Sequence, residues 1–427
     1  MIIEVFVPVL LLLLLLLLGW PVAFALAASG SVGLFFNVGP GTTMVLLRNI
    51  TMDNTGSYLL TTIPMFILMA EFLNNSGLIS DLFTAAHRWL SRFRGGLAFA
   101  TTLANGMMAA MSGSSTATAA AMSKMAVPEM RKRGYDDRLS IGTVAASGTF
   151  AVMIPPSLAL IIYGILTETS IADLFLAGVI PGLLTLLGYG GVIYAWGLAN
   201  PDVLSDRTER FTFSEKMEST RAIWPALIVI FLVIGGLYLG VVTPTEAGAL
   251  GASGTLIIGI VIGHMRLPEI NNALLRTAEL TVMIFMIVIG AMIFGRFLAT
   301  SGATRELLQF VEALPVNRWI ILTIILVIYV VLGTVMDQLA ILILTLPITF
   351  PIAIELGYDP IWFGIIITKT IEIGLITPPL GLNVYVASGA LDEDVTIAFK
   401  GAIRFIPVDV AIIFLLMLFP GIVTWVH

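Results

Sequence analysis

The residues in this sequence that could do chemistry are ionisable or backbone-breaking groups set inside long apolar runs. Asp337 closes the stretch Gly333-Thr334-Val335-Met336-Asp337 and is followed by Gln338. Lys369 and Glu372 flank Thr370, just ahead of GLITPPLGLN (374–383), which holds Thr377, Pro378, Pro379 and Asn383. A side chain that ionises at membrane depth is costly and marks a candidate site. Proline removes a backbone donor and clashes with the preceding turn. Every carbonyl it frees in hydrocarbon must find another partner. Carboxylate, hydroxyl and freed carbonyl oxygens together form a ligand set for a hard cation such as Na⁺. Helix N-termini meeting at such breaks attract a carboxylate. The chemistry these residues suit is binding of ions and solutes at the bilayer midplane.

Other chemistries lack their residues. The chain has no cysteine, which excludes disulfides, thiol catalysis and cysteine-ligated metals. Its three histidines, His87, His264 and His427, fall in expected loops or at the terminus, so no histidine metal or intramembrane protease site is expected. No Walker motif is present, and the few scattered basic residues do not suit nucleic acid. The composition is 58% hydrophobic and 11% charged, against about 25% charged in soluble proteins. Apolar runs of ~20 residues recur along the chain and suffice for about ten full spans. The fold class is therefore an all-α polytopic membrane protein in a lipid bilayer.

The elements that must position these groups come in pairs. Pro155 and Pro156, in GTFAVMIPPS (148–157), lie 223 positions before Pro378 and Pro379 (378 − 155). The same offset joins Gly134-Tyr135-Asp136 to Gly357-Tyr358-Asp359, and Pro128 to Pro351. EFLNNSG (71–77) resembles RFLATSG (296–302) at an offset of 225 (296 − 71). Two homologous halves follow, residues 57–198 and 277–427, with N-terminal scaffold helices and an interfacial arm over 1–56 and linking scaffold helices over 199–276. The first GYD turn sits in the basic stretch RKRGYDDR (131–138), and its twin in PIAIELGYDPIW (351–362) has no Lys or Arg. The positive-inside rule puts the two turns on opposite faces, the first cytoplasmic. That makes the halves an inverted repeat, an arrangement found in many secondary transporters. The run of nine leucines over 10–18 reads as a lipid-facing surface. With no Lys or Arg before Arg48, it is expected to be a retained first helix with an outward N-terminus rather than a signal peptide.

Each half also contains a segment too short to cross twice. Residues 95–130 lie between basic turns, whereas two spans need about 40 residues and a turn. Their midpoint is MSGSSTATAA (111–120), with Ser112, Gly113, Ser114, Ser115 and Thr116. A re-entrant hairpin fits both ends being on one face, since irregular backbone at membrane depth must be buried in protein or line a cavity. Residues 317–356 repeat the pattern from the other face, with Asp337 and Gln338 at the offsets of Ser114 and Ser115. Broken helices are expected over 138–165 and 360–388. Small polar residues also serve ordinary helix packing, and Lys369 and Glu372 can form a local ion pair on one helix face. Glu71 and Arg296 occupy equivalent, structural positions, and Arg404 and Asp409 can snorkel or pair within the last helix.

GSSTATAAAM (113–122), RGYD (133–136) with IPPS (154–157), GTVMD (333–337) and GLITPPLGLNVYV (374–386) together resemble the large membrane subunit of TRAP transporters, the tripartite ATP-independent periplasmic transporters. The resemblance covers nearly the whole chain and leans toward the sialic-acid branch. It implies a permease in the bacterial inner membrane, both termini periplasmic, working with a small four-helix membrane subunit and a periplasmic binding protein. It implies Na⁺-driven uptake of an organic acid such as sialic acid or a C4-dicarboxylate, by an elevator movement, with no cofactor beyond Na⁺ and no enzymatic step. Sodium ligands would then fall at Ser112, Gly113, Ser114, Ser115, Thr116, Ser147, Gly148, Thr149 and Pro155. A second set would be Gly333, Met336, Asp337, Thr370, Thr377 and Pro378. Substrate would meet Ser114, Ser115, Pro156, Asp337, Gln338, Pro379 and Asn383. The scaffold would comprise the N-terminal helices, segment 173–265 and the last helix. The alternative is a stand-alone sodium- or proton-coupled carboxylate carrier of similar architecture. A channel would show a continuous polar stripe, whereas here polarity gathers at four midplane breaks.

Overall fold

A computed structural model of the chain describes residues 2–204, 210–262, 265–313 and 315–426. Part of the basic link (205–209), His264 and His427 therefore lie outside the described residues. The described residues form helices and turns, with no strand among them. Among the described residues, eight helices are long and apolar enough to cross a membrane, or nine if the pair Tyr58–Asn75 and Leu78–Leu90, bent by 67°, counts as one span. The second diproline segment is not among these spans. It is broken into Pro360–Leu375 and Leu382–Gly389, and neither piece reaches across on its own.

One group of helices forms a frame. Val22–Thr55 packs along Leu267–Thr300, and Tyr58–Asn75 packs on Pro244–Ile262. The long pair approaches closely because glycines face it: a Cβ on Gly30 would stand 2.8 Å from Phe294 Cα, and one on Gly290 would stand 2.5 Å from the Ala23 carbonyl. Small residues supply such contacts in membranes, where lipid leaves no hydrophobic drive for helices to associate. Val22–Thr55 changes direction at Gly39, whose φ of 78° precedes Pro40.

The paired elements of the sequence appear twice. The amphipathic helices Leu78–Leu90 and Ala303–Ala313 begin 225 positions apart (303 − 78). Each leads to a helical hairpin, Gly96–Ser112 with Ser115–Lys132, and Arg318–Gly333 with Gln338–Glu355. Each hairpin leads to a broken helix. The first is Asp137–Ser147, Phe150–Met153 and Leu158–Thr167; the second is Pro360–Leu375 and Leu382–Gly389. Asp136 and Asp359 start these broken helices as N-caps, accepting from the backbone N–H of Arg138 and Trp362. The halves interlock. Leu158–Thr167 packs on the second hairpin's Gln338–Glu355, and Leu382–Gly389 packs on the first hairpin's Ser115–Lys132.

Two helices of the expected scaffold pack directly on the paired elements. Ile171–Ala199 packs on Gly96–Ser112, on Phe150–Met153 and on Pro360–Leu375. Ile406–Leu418 packs on Pro360–Leu375 and Ile171–Ala199. The cause is local: a Cβ on Gly178 would stand 2.7 Å from the Met153 carbonyl, and one on Gly182 would stand 2.8 Å from Ile154 Cγ1. These glycines let the helix lie directly over the first diproline break.

Candidate functional site

At the first hairpin tip, Gly96–Ser112 ends on Gly113 in the left-handed region, φ 60°, and Ser114 turns extended to cap Ser115–Lys132. A Cβ on Gly113 would stand 3.1 Å from the Pro156 carbonyl, so the tip rests on the diproline break of its own half. Glycine meets both demands, the positive φ and the close approach. Ser112 Oγ and Thr118 Oγ1 lie 2.7 Å apart, and Thr118 donates to the Ser114 carbonyl at 2.8 Å. Thr116 Oγ1 is 3.4 Å from Ser114 Oγ. The Ser115 hydroxyl is buried without a protein partner. Gly148 lies against Ala119 of the same hairpin. Ser147 and Thr149 are fully buried, donating to the Thr143 and Ala146 carbonyls at 2.6 and 2.8 Å. The first candidate set is thus one neighbourhood.

The second tip repeats this with different residues. Arg318–Gly333 meets Pro360–Leu375 where Gly333 and Gly374 touch; a Cβ on Gly333 would stand 2.8 Å from Gly374 Cα. The Gly381 N–H donates to the Thr334 carbonyl at 3.0 Å, which ties this tip to its own diproline break. Asp337 caps Gln338–Glu355 by accepting the Leu339 N–H on Oδ2 at 3.0 Å. Met336 is partly buried beside it, and Gln338 Oε1 is buried without a partner. Thr370 and Thr377 donate to the Ile366 and Ile373 carbonyls, which leaves their oxygen lone pairs available.

The peptide bonds Pro155–Pro156 and Pro378–Pro379 are both cis. The breaks differ in surroundings: Pro155 and Pro156 are buried, whereas Pro378 and Pro379 are exposed. Asn383 links the halves, its Nδ2 donating to the Ala145 carbonyl at 3.4 Å while Oδ1 is buried without a partner. Of the seven candidate substrate residues, Ser114, Ser115 and Pro156 belong to the first neighbourhood and Asp337, Gln338 and Pro379 to the second. Asn383 lies between them.

The sequence reading missed the extent of one charge cluster. Lys369 Nζ lies 2.6 Å from Glu372 Oε2, as a helical pair at that spacing should. It also lies 2.7 Å from Asp409 Oδ1 of the last helix, and the Tyr189 hydroxyl donates to Asp409 Oδ2 at 2.8 Å. All four side chains are fully buried. Asp409 therefore neither snorkels nor pairs with Arg404, whose guanidinium lies 4.1 Å over the Trp196 ring. Thr149 of the first half stands alongside Glu372 and Tyr189. Thr149 and Glu372 are equivalent positions of the two repeats (372 − 149 = 223), so the broken helices meet here. The available signal was a lone aspartate in the apolar run IPVDVAIIFLLML (406–418), which needed a buried cation somewhere.

On the basic face, Arg131 joins Asp137 and Glu393, each at 2.6 Å, so the first GYD turn is tied to the loop after Leu382–Gly389.

A family model described as "Tripartite ATP-independent periplasmic transporter, DctM component" matches residues 9–422. The C4-dicarboxylate TRAP transporter large permease protein DctM of Pseudomonas aeruginosa is 35% identical over 372 residues, covering 87% of this chain and 86% of that protein. The sialic acid TRAP transporter permease protein SiaT of Haemophilus influenzae is 29% identical and covers 87% of this chain and 60% of its own length. The isethionate TRAP transporter permease protein DctMQ of Oleidesulfovibrio alaskensis is 33% identical, covering 88% of this chain and 59% of that protein. The solved YdaH transporter of Alcanivorax borkumensis aligns with a TM-score of 0.69 over 98% of both chains at 14% identity, a likeness of fold alone.

Proposed function

Since this chain belongs to the DctM family, the membrane permeases of tripartite ATP-independent periplasmic transporters, we propose that it takes up an organic acid across the bacterial inner membrane, driven by Na⁺. The family is one of transporters, and the chain is a non-enzymatic, multi-pass component of such a system. In this reading a periplasmic binding protein delivers the acid, and a small four-helix membrane subunit braces the frame. Both termini lie on the periplasmic side. The relatives' names, C4-dicarboxylate, sialic acid and isethionate, support an organic acid as the class of substrate. The C4-dicarboxylate relative carries the higher identity of the first two, so both substrates stay in the test.

The observation that carries the reading is that each hairpin tip rests on the diproline break of its own half, Gly113 on Pro156 and Thr334 on Gly381. Hydroxyls, freed carbonyls and the Asp337 carboxylate gather at these breaks, a ligand set suited to Na⁺. The N-termini of Ser115–Lys132 and Gln338–Glu355 point their dipoles at the same regions and suit a carboxylate. The hairpins and broken helices then move as one body past the frame of Val22–Thr55, Pro244–Ile262 and Leu267–Thr300. The difference in exposure between the two diproline breaks accords with one side being open at a time.

The test is uptake into proteoliposomes holding this chain with its small subunit, supplied with loaded binding protein. An inward Na⁺ gradient should drive accumulation of sialic acid or succinate. Equal uptake with K⁺ replacing Na⁺ rejects sodium coupling, and equal uptake without the binding protein rejects the tripartite arrangement.

A further inference from the structure

A cavity of about 1770 Å³ lies between the frame and the second hairpin, away from the hairpin tips. Its walls include Pro347 and Pro351 of that hairpin and the loop after Leu158–Thr167. It lies on the face opposite the basic RKRGYDDR turn, because Leu267–Thr300 starts in a basic segment and runs 34 residues to reach it. Two arginines line this cavity, Arg296 and Arg305, and both are exposed to it. Asp53 and Glu168 line it too, and among the described residues neither forms an ion pair with either arginine.

The position of Arg296 is informative. Its repeat equivalent is Glu71 (296 − 71 = 225), so the half whose turn is basic carries the acid and the opposite face carries the base. That is the reverse of the positive-inside bias. The guanidinium offers a planar fork of donors that matches a carboxylate in two parallel bonds.

We propose that this cavity is an outer subsite for the substrate, an organic acid whose carboxylate is held by Arg296 and Arg305 before it reaches the hairpin tips. Asp53 and Glu168 then face the hydroxyl or ammonium groups of the same molecule. The proposal rests on the transport reading for the direction of travel, and its test does not.

This chain has no cysteine of its own, so labelling is read on its separated band. Thr304 lines the same cavity, and Thr304→Cys supplies one thiol there. Its labelling rates are measured in the full complex with an anionic and a cationic methanethiosulfonate. The anionic reagent should react faster than the cationic one, because Thr304 adjoins Arg305 in the chain while Asp53 and Glu168 come to the cavity from other segments. Arg296→Gln with Arg305→Gln should bring the ratio below one, since Asp53 and Glu168 remain, and Arg296→Lys with Arg305→Lys should keep it above one. Succinate, sialic acid or isethionate should slow labelling in the arginine form. Equal rates for both reagents, or a ratio unmoved by the glutamine variants, overturns the subsite. So does labelling untouched by an acid that the same preparation takes up. Anion preference and protection without uptake under any ion gradient sinks the transport reading and leaves the subsite standing.

Discussion

Lys369 Nζ lies 2.7 Å from Asp409 Oδ1, two charges brought together from 40 positions apart with neither side chain exposed. This pair, with Glu372 and Tyr189, fastens the second broken helix to Ile171–Ala199 and Ile406–Leu418. Removing one partner of a buried pair leaves an uncompensated charge and costs about 3–5 kcal/mol. Lys369→Met, which leaves the carboxylates of Glu372 and Asp409 buried without their shared cation, should therefore lower the stability of the detergent-solubilised protein by about that much, read from its thermal unfolding, whereas Asp409→Leu leaves Lys369 paired with Glu372 and should cost less. Lys369→Met combined with Asp409→Leu should cost less than the sum of the single changes, because the two sites are coupled. Additive losses would contradict the pairing as the source of stability.

Gly374→Ala tests the contact between the second hairpin and its broken helix. The added Cβ would stand 2.5 Å from Gly333 Cα and 2.8 Å from the Val330 carbonyl, both backbone atoms that cannot rotate away. Overpacking of this kind costs about 1–3 kcal/mol, and uptake should fall with it because the tip no longer seats. An unchanged unfolding temperature with full uptake would show that the helices tolerate separation here.

Asn383 is predicted to matter to substrate more than to stability. Its hydrogen bond to the Ala145 carbonyl is long at 3.4 Å, and a net bond is worth about 1 kcal/mol. Asn383→Leu should thus leave unfolding within about 1–2 kcal/mol of the parent while raising the KM for the acid about tenfold or more. A KM that stays put while stability collapses would make Asn383 a packing residue.

The hairpins, the broken helices and their pairing were legible because each is written locally. Gly113 and Gly381 carry positive φ, Asp136, Asp337 and Asp359 cap helix starts, and the prolines recur at one offset. The family was legible for the same reason, since its motifs are these very breaks. The partner of Asp409 was not, because a single acid in an apolar helix says that it must be neutralised without saying by what. The seat of Ile171–Ala199 was hidden too: Gly178 and Gly182 could have faced any helix. The enclosure of Pro155–Pro156 beside the exposure of Pro378–Pro379 depends on how the halves are placed, and the proline pair that the two segments share does not encode that difference.

The central claim is that the breaks at the hairpin tips bind the coupling Na⁺. It is tested most directly by the Na⁺ dependence of uptake in Asp337→Ala and Ser114→Ala proteoliposomes, measured beside the parent with the binding protein saturating. Both changes are expected to raise the Na⁺ concentration for half-maximal uptake about tenfold or more, or to abolish Na⁺ stimulation, in folded and correctly inserted protein. Na⁺ stimulation identical to the parent in both variants would contradict the account.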